Sequence, residues 1–140
     1  MQPDDVVHNK CAIIERCVRR MHEEYAACPE LDNFTHVDAL VLNIERACQA
    51  AIDMGMHVLA AEHLGIPQSS AGAFELLSRA GILTQELAQS LMSMVGFRNI
   101  AIHDYQELDQ AVLEFVVRQG YKDLVEFCAQ LGVRISEPEV

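Results

Sequence analysis

The chain has 140 residues, of which 51% are hydrophobic and 6% aromatic, and its 21 acidic and 10 basic side chains give a formal net charge of -11. This length corresponds to one domain that can bury a substantial core. The apolar fraction excludes a disordered chain. The acidic balance argues against broad nonspecific binding to nucleic acid, because each phosphate contact requires a cation, so we expect any nucleic-acid site to be local.

Targeting segments and cysteine chemistry are not indicated. The apolar runs are a few residues long and no basic leader precedes one, so we expect a cytoplasmic protein with neither a membrane span nor a signal peptide. The five cysteines are an odd number and contain no Cys-x-x-Cys pair. We expect them to be reduced thiols that are buried as small apolar side chains.

Apolar residues recur every three or four positions along the first half of the chain, and this period predicts helices. The first helix is expected over residues 7–25, and Pro29 marks its end. The second is expected to begin at a capping box formed by Thr35 and Asp38 and to continue toward Leu64. At 1.5 Å per residue it would be roughly 40 Å long, enough to form the spine of a bundle.

The second half of the chain has the same period. A short helix is expected at about residues 73–80, where Gly81 ends it, and Thr84 can cap the next helix. Two further helices follow, and Gly120 is expected to interrupt the chain between them.

The fold class follows from this pattern. No stretch alternates with a period of two, so the sequence predicts an all-α, single-domain helical bundle. The helical domain is expected to occupy residues 1–133, and residues 134–140 to form a flexible C-terminal tail.

Metal and phosphate-loop chemistry find no support in the sequence. No Glu has a His three residues later, which is the pair that carboxylate metal sites in helical bundles use. Asp53 and His57 are four residues apart and could share a proton or a metal, but a solvated pair on a helix surface is the simpler interpretation. No glycine-rich phosphate loop or nucleophile elbow occurs. We therefore expect neither a metal nor a cofactor.

One segment has the residue types that RNA cleavage without a metal requires. Arg98, His103 and Tyr105 lie within eight residues. A guanidinium matches phosphate oxygens, and an imidazole can take a proton from a ribose 2′-hydroxyl or give one to a leaving oxygen. On an unbroken helix, positions five apart differ in direction by about 140°. Arg98 and His103 can therefore converge only if the helix ends or loosens near Ile102, or if they act across a subunit boundary.

Chemistry alone leaves a plainer alternative, in which Arg98 pairs with a carboxylate at a helix end and the other two residues cap a loop. The pattern Arg98-Asn99-x-x-x-His103-x-Tyr105, however, resembles the R-x4-H-x-Y signature of the HEPN superfamily, in particular its HepT-like branch of toxins from toxin–antitoxin pairs. The flanking sequence is similar as well, over residues 74–83, 86–88, 94–99 and at Asp123, Leu124 and Phe127.

This resemblance implies a homodimeric, HEPN-like, all-α endoribonuclease that needs no metal, with the two motif copies lining one cleft between the subunits. It also implies a cognate minimal nucleotidyltransferase as antitoxin, in a type VII-like pair, that AMPylates Tyr105. In this interpretation Arg98 stabilises the charge of the phosphorane and His103 is the general acid or base. Asn99 would orient His103 or a phosphate oxygen, and Tyr105 would contact phosphate or stack on a base.

Two further questions stay open at the level of sequence. Four cations of the first helix form a solvated face or a rim that contacts RNA or the antitoxin: Lys10, Arg16, Arg19 and Arg20. The competing functional hypotheses are a noncatalytic, nucleotide-binding helical partner of a nucleotidyltransferase and a plain scaffold bundle. Cleavage of RNA by the purified protein separates the ribonuclease from both of these.

Overall fold

The computed structural model describes residues 1–103 and 109–138, apart from the side chains of residues 102 and 103. The helices are α1 (Asp5–Ala27), α2 (Phe34–Ala61), α3 (Ser70–Arg79), α4 (Gln85–His103), α5 (Gln110–Phe115) and α6 (Tyr121–Gln130), and a π-helical turn (Val116–Gly120) joins α5 to α6. The described residues contain no strand, which confirms the predicted all-α fold. None of these helices combines the length and apolar character needed to cross a membrane.

Helices α1 and α2 form an antiparallel pair. At one end of the pair, His57 Nε2 lies 2.6 Å from Asp4 Oδ2, and at the other end His36 Nδ1 lies 2.7 Å from Glu24 Oε2. The apolar stripe predicted for α1 is buried against the core, at Val7, Cys11, Ile14, Cys17, Val18 and Met21. All five cysteines are buried free thiols, as expected from their pattern.

The start of α2 differs from the prediction. Asn33, and not Thr35, is the N-cap: its side chain accepts hydrogen bonds from the backbone amides of Thr35 at 3.0 Å and His36 at 3.4 Å. The predicted capping box is therefore wrong. The helix begins two residues early because Asn33 satisfies its free amides, while Phe34 at its first position is 82% exposed and adds nothing to the apolar stripe.

Helix α3 ends close to the predicted position but begins at Ser70, three residues before the expected start. The side chain of Ser69 caps α3, and Gly81 takes the left-handed conformation (φ +78°) just after α3 ends. Thr84 Oγ1 accepts from the Leu87 amide at 3.3 Å, which confirms the predicted cap of α4. Phe74 of α3 packs edge-on against Phe127 of α6, with ring centroids 5.5 Å apart.

The break predicted at Gly120 is wrong. Gly120 is helical (φ -62°, ψ -30°), and the chain passes from α5 through the π turn into α6 without a loop. The buried positions continue at spacings of four, four and three residues, at Leu113, Val117, Tyr121 and Leu124. A π turn accommodates one extra residue within a helix, so the apolar face is preserved across the glycine.

The segment that follows α6 has no helix or strand in its described part, up to residue 138. Ile135 packs against the core, and Glu15 Oε2 accepts hydrogen bonds from the Ser136 amide at 2.6 Å and from its hydroxyl at 3.0 Å. The flexibility expected for residues 134–140 remains a prediction, and these contacts with α1 weigh against it.

Candidate active site

Arg98 is half-buried near the end of α4, and neutral amides hold its guanidinium group. Nη1 donates to Asn99 Oδ1 at 3.1 Å, and Nη2 donates to Gln49 Oε1 of α2. Its Nε atom is buried and has no partner among the described residues. The ion pairs of the described part of the chain do not include Arg98. Among the residues that the structure describes, Arg98 therefore has no carboxylate partner of the kind that the plainer alternative requires.

A series of polar contacts connects Arg98 of α4 through α2 to α1. Gln49 Nε2 donates to Asp53 Oδ1 at 2.9 Å, and Asp53 Oδ2 lies 3.6 Å from Lys10 Nζ. The suggested pair of Asp53 and His57 is not formed, because His57 bonds to Asp4 instead. Lys10, one of the cations proposed to contact RNA or the antitoxin, is therefore already paired with a carboxylate.

The buried thiol of Cys48 lies within the field of Arg98. Burial raises the pKa of Cys48 to about 12, and the positive charge of Arg98 acts in the opposite direction. Cys48 is consequently neutral at physiological pH. The neutral thiol therefore does not form an ion pair with Arg98.

The backbone fixes how the two proposed catalytic positions are related. Helix α4 stays α-helical from Arg98 to its last residue, His103. Their backbone positions are therefore about 140° apart around the helix axis and about 7.5 Å apart along it. The side chain of His103 and all of Tyr105 lie outside the described residues.

The predicted basic cluster is only partly open to a ligand. Arg19 lies 3.9 Å from Glu23, whereas Arg16 and Arg20 are exposed and form no ion pair with the carboxylates that the structure describes. Arg46 of α2 was not among the predicted cations, but its charge acts at the same place. The charges of Arg16, Arg20 and Arg46 each lower the pKa of the buried thiol of Cys17, although desolvation raises this pKa overall. Only the antiparallel pairing of α1 with α2 brings Arg46 beside them, so no local sequence signal could have found it.

An apolar cavity of about 210 Å³ lies between α2, α4 and the helical segment formed by α5, the π turn and α6. Phe97 and Met94 line one side of it, and Val112 and Phe115 line the other. Phe115 is 60% exposed and Val112 is 40% exposed. Asp123 also lines the cavity, and burial raises the pKa of its carboxyl group.

Metal binding finds no support among the residues that the structure describes, which contain no group of three or more side chains arranged to hold a metal ion.

A model of the family described as Ribonuclease HepT-like matches residues 8–131. The chain belongs to this family.

Individual relatives agree with the family match. The mRNA nuclease HepT of Shewanella oneidensis is 41% identical over 125 residues, which cover 89% of this chain and 94% of that protein. The tRNA nuclease HepT of Aphanizomenon flos-aquae is 38% identical over 61 residues, covering 44% of this chain and 42% of that protein. Among solved structures, the tri-AMPylated Shewanella oneidensis HEPN toxin in complex with MNT antitoxin superposes with a TM-score of 0.87 at 39% identity and covers 92% of this chain and 98% of its own.

These findings confirm four predictions made from the sequence: the family, the all-α fold, the ribonuclease class and the toxin class. The chain is a HepT-like ribonuclease toxin. The assignment of individual site residues remains a prediction.

Proposed function

We propose that this toxin cleaves RNA without a metal ion, using Arg98 and His103 in a cleft shared by two subunits. The observation that supports the proposal most directly is how the guanidinium of Arg98 is held. Its guanidinium is oriented by two neutral amides and keeps its full positive charge close to the surface. A preorganised cation of this kind stabilises negative charge that develops on a phosphate in the transition state.

The reaction requires one base and one acid. A base, proposed to be one copy of His103, removes the proton of a ribose 2′-hydroxyl, and the oxygen attacks the adjacent phosphorus to form a pentacovalent phosphorane. Arg98 stabilises the charge on the equatorial oxygens of the phosphorane. An acid, proposed to be the second copy of His103, protonates the 5′-oxygen as the phosphorus–oxygen bond breaks. The products are a 2′,3′-cyclic phosphate and a free 5′-hydroxyl.

The shape of α4 supports a homodimer. Because the helix continues to His103, positions 98 and 103 differ in direction by about 140° within one chain, which favours a second subunit as the way to bring the two groups onto one phosphate. Apolar side chains are exposed on α4 and α5, at Ile100 (48%), Val112 and Phe115. We place the contact between the subunits on these residues. Two copies also double the local positive charge that an acidic chain can offer to RNA.

We further propose a minimal nucleotidyltransferase as antitoxin, which transfers AMP to Tyr105. The AMP group adds bulk and negative charge beside Arg98 and so repels RNA. The relative in complex with MNT antitoxin is itself described as tri-AMPylated, which supports this proposal. Asn99 orients Arg98, and the exposed Arg16, Arg20 and Arg46 contact RNA or the antitoxin. A cytoplasmic location remains a prediction.

Purified variants test the catalytic assignment. Arg98→Ala and His103→Ala should each lower RNA cleavage by on the order of a hundredfold or more without a change in melting temperature. His8→Ala and Arg79→Ala are matched controls, because both residues are exposed and lie outside the site. EDTA should leave cleavage unchanged. Full activity of folded His103→Ala would contradict the proposal, and failure of every preparation to cut RNA would favour the noncatalytic partner subunit.

Co-expression with the nucleotidyltransferase tests the regulatory part. Mass spectrometry should find added AMP on the wild-type chain at Tyr105 and none on Tyr105→Phe, and RNA cleavage should be lost only in the modified protein. Tyr105→Phe that is silenced to the same extent as wild type would show that neutralisation occurs by binding alone.

A further inference from the structure

The side chain of Gln49 lies between two groups of opposite charge, the guanidinium of Arg98 and the carboxylate of Asp53. Its Oε1 atom accepts from Nη2 of Arg98, and its Nε2 atom donates to Asp53 Oδ1 at 2.9 Å. Gln49 is half-buried on α2, between the helices that carry Arg98 and Lys10. The amide therefore spans the distance from the ion pair of Lys10 and Asp53 to the proposed catalytic guanidinium on α4.

The orientation of this amide is fixed by chemistry. A guanidinium can only donate hydrogen bonds, and an ionised carboxylate can only accept them. The reversed amide would place Nε2 against the donors of Arg98 and Oε1 against the oxygens of Asp53, and both contacts would be repulsive. Asp53, held by Lys10 at 3.6 Å, thus ensures that an oxygen faces Arg98.

A neutral acceptor at this position can orient Arg98 without forming an ion pair with it, which a carboxylate could not do. A carboxylate would also orient the guanidinium, but it would form an ion pair with it and compete with the phosphate of RNA. It would also stand beside the carboxylate of Asp53. The amide restricts the guanidinium to one orientation and leaves its charge for the substrate.

We propose that Gln49 is the positioning residue of this ribonuclease: it orients Arg98 through a neutral hydrogen bond and places no negative charge beside it. The inference rests on the proposed role of Arg98 and extends it to a residue on another helix. Asp53 and Lys10 act behind Gln49 by holding the amide in its required orientation.

Two substitutions separate orientation from charge. Gln49→Met keeps the length of the side chain and removes the hydrogen bond, so kcat for RNA cleavage should fall by about tenfold to a hundredfold while the affinity for RNA changes little. Gln49→Glu keeps an acceptor and adds a charge. It should weaken binding of a 2′-O-methyl RNA oligonucleotide by on the order of tenfold, and it should lower the slope of log Kd against log salt by about 0.7 for each phosphate that the protein no longer neutralises.

Gln89→Met and Gln89→Glu are the matched controls. Gln89 is exposed on α4, and its hydrogen bond with Ser93 uses only its backbone carbonyl. These variants should bind and cleave RNA as wild type does. If Gln89→Glu weakens binding as much as Gln49→Glu, general repulsion explains the effect and the inference is wrong.

A double variant distinguishes this inference from the proposed function. If Gln49 acts through Arg98, Gln49→Met should cause no further loss of cleavage in an Arg98→Ala background. Wild-type cleavage by Arg98→Ala would overturn the proposed function itself. A large loss in Arg98→Ala together with wild-type kcat and affinity in both folded Gln49 variants would overturn only the role of Gln49. If Gln49→Glu fails to fold, as judged by circular dichroism, the kcat of Gln49→Met decides.

Discussion

Replacing Arg98 with lysine separates the charge of this residue from the geometry of its donors. The guanidinium donates from Nη1 to Asn99 and from Nη2 to Gln49 at the same time. A lysine keeps the positive charge but has a single nitrogen on a flexible stem, so it cannot keep both amide contacts and also present a fixed donor to phosphate. Arg98→Lys should therefore bind RNA nearly as well as wild type and cleave it more slowly.

The magnitude follows from the hydrogen bond to phosphate that lysine cannot hold in place. Loss of one charge-assisted hydrogen bond in the transition state costs about 1.5–3 kcal/mol. At about 1.4 kcal/mol for each factor of ten, kcat should fall roughly tenfold to a hundredfold. Arg98→Ala removes the charge as well, and its effect should be larger, on the order of a hundredfold to a thousandfold.

Single-turnover cleavage of a labelled transcript measures the chemical step, and fluorescence anisotropy with a 2′-O-methyl RNA oligonucleotide measures binding. Wild-type kcat in Arg98→Lys would show that charge alone is sufficient and that the two amide contacts are irrelevant to catalysis. RNA affinity reduced as much in Arg98→Lys as in Arg98→Ala would show that the charge does not control binding. Either result would refute the reasoning.

Three further outcomes are expected. Phe115→Glu places a charge on a 60% exposed apolar side chain at the proposed subunit contact, so light scattering should detect monomers and RNA cleavage should be lost; an active monomer would contradict this. Burial raises the pKa of the Asp123 carboxyl group above its ordinary value of 3.8, so ionisation of this group lowers the stability of the fold as pH rises through that value. Asp123→Asn should therefore raise Tm at pH 7 and have little effect below pH 4, and an equal effect at both pH values would exclude burial of the charge as the cause. Replacing Arg16, Arg20 and Arg46 together with Ala should reduce the salt dependence of RNA binding and leave kcat unchanged, whereas an unaltered salt slope would exclude them from the RNA path.

Much of the fold could be predicted from the sequence because apolar side chains determine which face of each helix is buried. The stripe on α1 and the glycine after α3 are examples in which one local signal decides the outcome. Prediction failed where two signals compete. Asn33 and Thr35 are both good caps, and Phe34 between them is exposed, so hydropathy could not decide the start of α2. Gly120 resembles a helix breaker but is helical at the end of a π turn.

The candidate site was predictable only in part. Arg98 belongs to a recognisable motif, but Gln49 lies 49 residues away in the chain and a lone glutamine has no pattern. Arg46 likewise gains its meaning from the pairing of α1 with α2. The sequence allowed either a loosened helix or a subunit boundary as the way to bring positions 98 and 103 together. The continuous helix over these residues favours the subunit boundary.

Mixing the wild-type protein with an inactive variant tests the shared cleft most directly. Wild-type and His103→Ala proteins are mixed in equal amounts and exchanged through mild denaturation and refolding, so that about half of the dimers contain one copy of His103. If one cleft needs both copies of His103, one as base and one as acid, these mixed dimers are nearly inactive, and the mixture should cleave RNA at about a quarter of the rate of the same amount of wild-type protein. A rate of about half, in a mixture in which native mass spectrometry detects the mixed dimers, would show that each subunit acts alone and would contradict the shared cleft.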